Sequence, residues 1–207
     1  MMIRTIIFDF GGVLFKPPDA QFMNRWKKRI NFSENPAMSE AFSMSDESPF
    51  MQRIFLGEVP EDQVWRQMEE RTEVPSVVFR WTRRWLESKR RLNRPMIRLL
   101  RGLQADYQTA ILSNAGDQAR NWMTEILELD RYVEAIIISA EEGLIKPSRE
   151  IYEVALDRLH AQAQTTLFVD DRMENVLAAR DLGMQAVQFT TNEQTISAIQ
   201  GILGKAG

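Results

Sequence analysis

The stretch Ile6-Ile7-Phe8-Asp9-Phe10-Gly11-Gly12-Val13-Leu14 decides how the rest of the chain is read. It runs from consecutive apolar residues to a carboxylate and then to two glycines. Apolar residues at consecutive positions suit a strand covered on both faces of a parallel sheet. The carboxylate then falls at the strand's carboxyl end, where open α/β sheets bind their ligands. The glycines let the backbone turn sharply and approach a ligand closely. Taken alone, Asp-Phe-Gly-Gly is equally compatible with a plain turn.

Working outward, strand-like runs recur at Ile3–Phe8, Thr109–Leu112, Ala135–Ser139, Thr166–Val169 and Ala186–Phe189. Between the later runs lie helix patterns at Asp117–Leu127, Ser148–Leu159 and Met173–Leu182, the last stopped by Gly183 as a C-cap. Strand alternating with helix predicts a doubly wound, parallel-sheet (Rossmann-like) α/β fold. From about Pro17 to Asn93 the rhythm breaks. Phe22, Trp26 and Ile30 recur at helical steps within Gln21–Ile30. Pro60 opens a helix carrying Val64, Trp65 and Met68, and Val78, Trp81 and Trp85 share one helical face. Pro36, Pro49, Pro60 and Pro75 punctuate these helices at their starts. The predicted division is an α/β core over 1–16 and 91–207, with an all-helical cap over 17–90.

Composition narrows the chemistry. The 207 residues contain no cysteine, which excludes disulfides, thiolate metal sites and cysteine nucleophiles. His160 is the one histidine, so a site needing two imidazoles is excluded. Its position near a predicted helix end reads as surface or capping. The charge balance of 26 basic to 29 acidic residues suggests neither a nucleic-acid nor a membrane partner. No apolar run is long enough to span a bilayer. The N-terminal apolar run is cut by Asp9, unlike a signal peptide, and a cytoplasmic location is expected. Arg80, Arg83, Arg84, Lys89, Arg90, Arg91, Arg94, Arg98 and Arg101 form the most uneven charge feature. It reads as a solvated helix face, or alternatively as a cap-side attraction for an anionic substrate.

Three further segments carry candidate chemistry. Ile111-Leu112-Ser113-Asn114-Ala115-Gly116 ends a strand in small polar groups, offering a hydroxyl and then backbone N–H groups to an anion. Ordinary turn chemistry is the alternative. In Gly143-Leu144-Ile145-Lys146-Pro147-Ser148, Lys146 offers an ammonium to phosphate or carboxylate, and Ser148 can cap the next helix. A solvated surface lysine is the plainer reading. Leu167-Phe168-Val169-Asp170-Asp171 places two adjacent carboxylates after an apolar run. Such carboxylates repel unless a cation neutralises them, and hard oxygen ligands without nearby His or Cys suit Mg²⁺. Asn175 follows Asp171 by one helical turn, which directs it back toward such an ion.

Taken together, FDFGGVL (8–14), LSN (112–114), GLIKPSREIY (143–152) and FVDDRMENV (168–176) resemble the haloacid dehalogenase-like hydrolase superfamily, within its branch of small capped phosphatases. The resemblance covers nearly the whole chain, the inserted cap included. It implies that Asp9 is a nucleophile forming an aspartyl-phosphate, and that Ser113 and Asn114 bind the transferring phosphoryl group. It implies that Lys146 steadies both nucleophile and phosphoryl charge. Asp9, the Gly11 backbone carbonyl, Asp170 and Asp171 would hold Mg²⁺, with Asp171 the firmer of the pair. The partner implied is a small phosphorylated metabolite.

One position departs from the pattern. Many phosphatases of this family carry a second aspartate two residues after the nucleophile, which protonates the leaving group and then activates water. Here that residue is Gly11. The change spares a carbonyl ligand but removes an acid–base group typically worth ~10²–10⁴ in rate. The alternatives are a weakly active or non-catalytic phosphate-binding protein, and a 2-haloacid dehalogenase. The second is disfavoured because two uncompensated carboxylates would repel an anionic haloacid.

Overall fold

The structure, a computed structural model, describes residues 2–16, 49–72 and 91–204. A five-stranded, wholly parallel sheet runs in the order β5-β4-β1-β6-β7. Its strands are β1 (Thr5–Phe8), β4 (Gln108–Ser113), β5 (Ala135–Ile138), β6 (Thr166–Asp170) and β7 (Gln185–Gln188). The five predicted strands are therefore present, with ends shifted by a residue or two. Alternate residues of the central strands enter opposite layers. Ile6, Phe8, Ile111, Leu167 and Val169 join one apolar cluster, while Ile7, Ala110, Leu112 and Phe168 join the other. Burial on both faces explains why these strands read as unbroken apolar runs.

Helices cover the two faces. The first is α3 (Arg94–Leu103), followed by a short turn α4 (Ala119–Asn121), α5 (Ser139–Glu142), α6 (Arg149–Arg158), α7 (Met173–Asp181) and α8 (Asn192–Ile202). On α3, Met96, Leu100 and Leu103 are buried at helical spacing. Arg94, Arg98 and Arg101 stay exposed, and the Arg101 guanidinium lies 4.9 Å from the Tyr132 ring centroid. This part of the basic run is a solvated face; Arg80 to Arg90 lie outside the described residues. Gly183, at φ +95°, ends α7 as expected. His160 is exposed at φ +48° and donates its backbone N–H to Asp157 O, so it closes α6.

Two expectations need correction. The helix pattern at Asp117–Leu127 is not one α-helix: α4 passes directly into a π-helical turn, Trp122–Ile126. Trp122 packs edge-on against Phe10 and Phe15, at 5.7 and 4.6 Å between centroids, and this tertiary contact outweighs regular periodicity. Ser148 stands at the start of α6 with an extended backbone, but its hydroxyl is buried without a hydrogen-bond partner and caps nothing.

The insertion leaves and re-enters the core through an antiparallel ribbon that pairs β2 (Phe15–Lys16) with β3 (Arg91–Leu92). Buried Asn93 fastens its base, donating its backbone N–H to Leu14 O and its amide to Val13 O and Asn192 Oδ1. Within the insertion, α1 (Pro49–Phe55) and α2 (Glu61–Thr72) are helical, and Pro49 and Pro60 mark their starts. The calls on Gln21–Ile30, on Val78, Trp81 and Trp85, and on Pro36 and Pro75 lie outside the described residues, as do the side chains of Val64, Trp65 and Met68. Gly57, at φ +69°, lies where a Cβ would collide with Ala140 O, so α1 and its following turn sit directly on α5. Among the described residues, no helix is long and apolar enough to cross a membrane.

Candidate active site

Register gathers the candidate residues. Phe8 is level with Ile111 on one side and Val169 on the other, so the carboxyl ends of β1, β4 and β6 form one edge. Asp9 continues the ladder by donating its N–H to Val169 O at 2.8 Å. Asp170 ends β6, and Ser113 ends β4, buried. Lys146 arrives from the loop after α5.

The Lys146 ammonium occupies the centre. It donates to Asp9 Oδ1 at 2.6 Å, Asp170 Oδ2 at 2.7 Å and Leu112 O at 3.0 Å. The lysine is 4% exposed, Asp9 6% and Asp170 0%, so this is a buried charge cluster and not the surface lysine of the plainer reading. Removing such charges from water is costly unless they are paired and their hydrogen bonds are met. The Phe168 ring lies 5.5 Å from the same nitrogen, where its face attracts a cation.

Around that centre, each support has its own supports. Asp170 Oδ1 accepts the Arg172 backbone N–H at 2.8 Å, and the Asn175 amide donates to both Asp170 oxygens at 3.0 and 3.1 Å. Asn175 therefore points back toward the acidic pair, as its spacing suggests, but its amide nitrogen meets Asp170. Asn114, expected to bind substrate, has its side chain engaged elsewhere: its amide donates to Lys146 O and its carbonyl accepts from Lys146 N, both at 2.9 Å. It thus clamps the lysine's backbone to the end of β4. Tyr152 was missed, because its spacing marks it only as a core position. Its hydroxyl donates to Asn175 O at 3.0 Å, tying α6 to the start of α7.

Burial and neighbouring charge together set the protonation. Burial pushes the Asp9 carboxyl up, the charges of Asp170 and Asp171 add to the rise, Lys146 opposes it, and the result is about 8. Burial works against the Lys146 ammonium, but attraction to Asp9 and Asp170 prevails and holds it above the ordinary lysine range. Asp9 and Asp170 thus share one ammonium.

Asp9, Asp170 and Asp171 each offer an oxygen within 4.8 Å of the others. Three hard oxygens without imidazole or thiolate fit a small divalent cation such as Mg²⁺. Asp171 is exposed. Its carboxylate lies within clashing distance of the point where a Cβ on Gly12 would stand, so Gly12, at φ +82°, is favoured both by conformation and by this close approach. Gly11 is different. Its Cβ position is open, with nothing within 4 Å.

The haloacid dehalogenase-like hydrolase family matches residues 3–183. The chain belongs to the haloacid dehalogenase-like hydrolases. It is 27% identical to sesquiterpene phosphatase astK of Aspergillus oryzae over 97% of each chain. It is 22% identical to D-ribitol-5-phosphate phosphatase of Bacteroides thetaiotaomicron over 90% of this chain and 92% of the relative. Among solved structures, a haloacid dehalogenase family enzyme from Bacteroides thetaiotaomicron, in complex with magnesium and inorganic phosphate, superposes with a TM-score of 0.73. That match has 21% identity and covers 91% of this chain and 94% of the other. The likeness confirms the haloacid dehalogenase-like fold.

Proposed function

We propose that this hydrolase is a Mg²⁺-dependent cytoplasmic phosphatase that cleaves a small phosphomonoester through an aspartyl-phosphate on Asp9. The observation that carries the reading is the bridge from Lys146 to Asp9 and Asp170 beside Asp171. The names of the two phosphatase relatives support it.

Lys146 holds Asp9 Oδ1, which leaves the other carboxylate oxygen to attack phosphorus in line. The ammonium also lies where it can offset charge on the transferring group, the principal requirement of phosphoryl transfer. Ser113 donates its hydroxyl, and Asn114 its backbone N–H, to phosphoryl oxygens. Asp9, Asp171 and the Gly11 carbonyl are the oxygens proposed to hold Mg²⁺, with Asp170 acting mainly through Lys146. When bound, Mg²⁺ supplies charge neutralisation to carboxylates and phosphoryl group alike. Forming a covalent carboxylate intermediate divides hydrolysis into two easier displacements. Residues 17–90 form the cap domain of this reading, inserted in a core of 1–16 and 91–207, and select the leaving group.

The test is phosphate release from p-nitrophenyl phosphate and a panel of sugar, polyol and prenyl phosphates. Release with Mg²⁺ that stops with EDTA is expected. Absence of Mg²⁺-dependent release on every substrate would contradict the reading, and tight phosphate binding without turnover would then indicate a binding protein.

A further inference from the structure

Among the described residues, the four titratable side chains gathered at the strand ends are all committed. Lys146 carries three N–H bonds, and all three are taken by Asp9, Asp170 and Leu112 O. Asp170 accepts on both oxygens, from Lys146, Asn175 and the Arg172 N–H. Asp171 belongs to the acidic cluster and lies against Gly12. Asp9 must itself attack. After Asp9, the loop continues Phe10-Gly11-Gly12, which carries no proton donor in its side chains. Packing does not demand this bareness: Gly11 is exposed, its φ lies outside the left-handed range, and a side chain there would enter open space.

From this arrangement we infer a substrate class: a phosphate carried on an oxygen that is stable as an anion, as in an aryl, enol, anomeric or acyl phosphate. A simple alkyl phosphate does not qualify. The inference rests on the phosphatase reading above and adds what that reading leaves open. An Asp9 oxygen bonds to phosphorus as the bond from phosphorus to the leaving oxygen breaks. The electron pair stays on the leaving oxygen, which takes a proton from water only after departure. Water then attacks phosphorus, the bond to Asp9 breaks, Asp9 recovers its carboxylate, and the water's proton passes to solvent. No site residue needs to donate a proton in the first displacement, provided the leaving oxygen is weakly basic.

The experiment compares kcat/KM for acetyl phosphate, a series of substituted phenyl phosphates and ethyl phosphate, in wild type and in Gly11→Asp. In wild type, kcat/KM should fall steeply as the leaving group becomes more basic. Gly11→Asp should help ethyl phosphate more than p-nitrophenyl phosphate, by a ratio of about 10²–10⁴, the usual worth of a general acid. A shallow wild-type dependence with steady turnover would overturn this inference alone, since it requires a proton donor in the intact protein. Glu61 is the carboxylate to examine in that event, because α2 brings its Oε2 to 3.2 Å from the Cβ position of Gly116. If Glu61→Gln steepened a shallow dependence, that too would overturn the inference and name the donor. No release even from acetyl phosphate would overturn the phosphatase reading and this inference with it.

Discussion

Two loops leave the central strands side by side and solve opposite problems. The loop after β6 is closed: Asp170 is fully buried and meets an ammonium, an amide and a backbone N–H. The loop after β1 is open: Asp9 has one oxygen held by Lys146 and is followed by bare backbone at Gly11 and Gly12. Lys146 is the bridge between them. A catalytic carboxylate gains from being oriented without being saturated, and here the neighbouring loop takes the saturating bonds. On the proposed reading, the difference separates the residues that position from the one that reacts.

Breaking the bridge should have the largest effect. Lys146→Met leaves Asp9 and Asp170 buried without their cation, which should cost about 3–5 kcal/mol of stability in urea unfolding, as for other broken buried pairs. Phosphate release should also be lost. Unchanged stability would mean that the two loops do not depend on this ammonium. A smaller effect should come from the closed loop alone. Asn175→Ala removes both amide bonds to Asp170 and should cost about 1–3 kcal/mol, the penalty of an unmet buried acceptor. Turnover should fall through kcat more than KM, because the residue acts on Lys146 through Asp170 and does not touch substrate.

The third effect belongs to the open loop and is a matter of pH. In metal-free protein, Asp9 keeps its proton up to about 8, whereas the unfolded chain loses it near the ordinary value of 3.8. The folded state therefore binds the extra proton in that window, and this contribution to stability declines as pH rises through it. Urea unfolding in EDTA should show lower stability at about pH 8 than at about pH 5, and Asp9→Asn should flatten that slope. An unaltered slope in the variant would assign the titration to another group.

Much of this was legible in the residues, for physical reasons that differ between elements. The strands were plain because burial on both faces makes their middles unbroken apolar runs, Ile6–Phe8 in β1, Ala110–Leu112 in β4 and Leu167–Val169 in β6, with polar residues confined to their ends. Met173–Asp181 was plain because Gly183 stops it in the left-handed conformation. The ribbon of Phe15–Lys16 with Arg91–Leu92 was not, since two-residue strands have no period to detect. The π-helical turn at Trp122–Ile126 was hidden because its cause, the packing of Trp122 on Phe10 and Phe15, joins residues far apart in sequence. At the site, the juxtaposition of Asp9, Lys146, Asp170 and Asp171 followed from strand ends alone. What each polar neighbour does there did not. An amide such as Asn114 or Asn175 can face a ligand or a backbone, and only the three-dimensional partner decides. Tyr152 gave only an apolar spacing, and its hydroxyl's task depends on α6 meeting α7.

The central claim is that Asp9 takes the phosphoryl group, and it is tested most directly by acid-quenching the enzyme during turnover of acetyl phosphate with Mg²⁺. Peptide mass spectrometry then locates any covalent phosphate. The account predicts one added phosphoryl group on the peptide that contains Asp9, removed by hydroxylamine and absent from Asp9→Asn. Vigorous phosphate release with no adduct on that peptide, or release undiminished in Asp9→Asn, would contradict it.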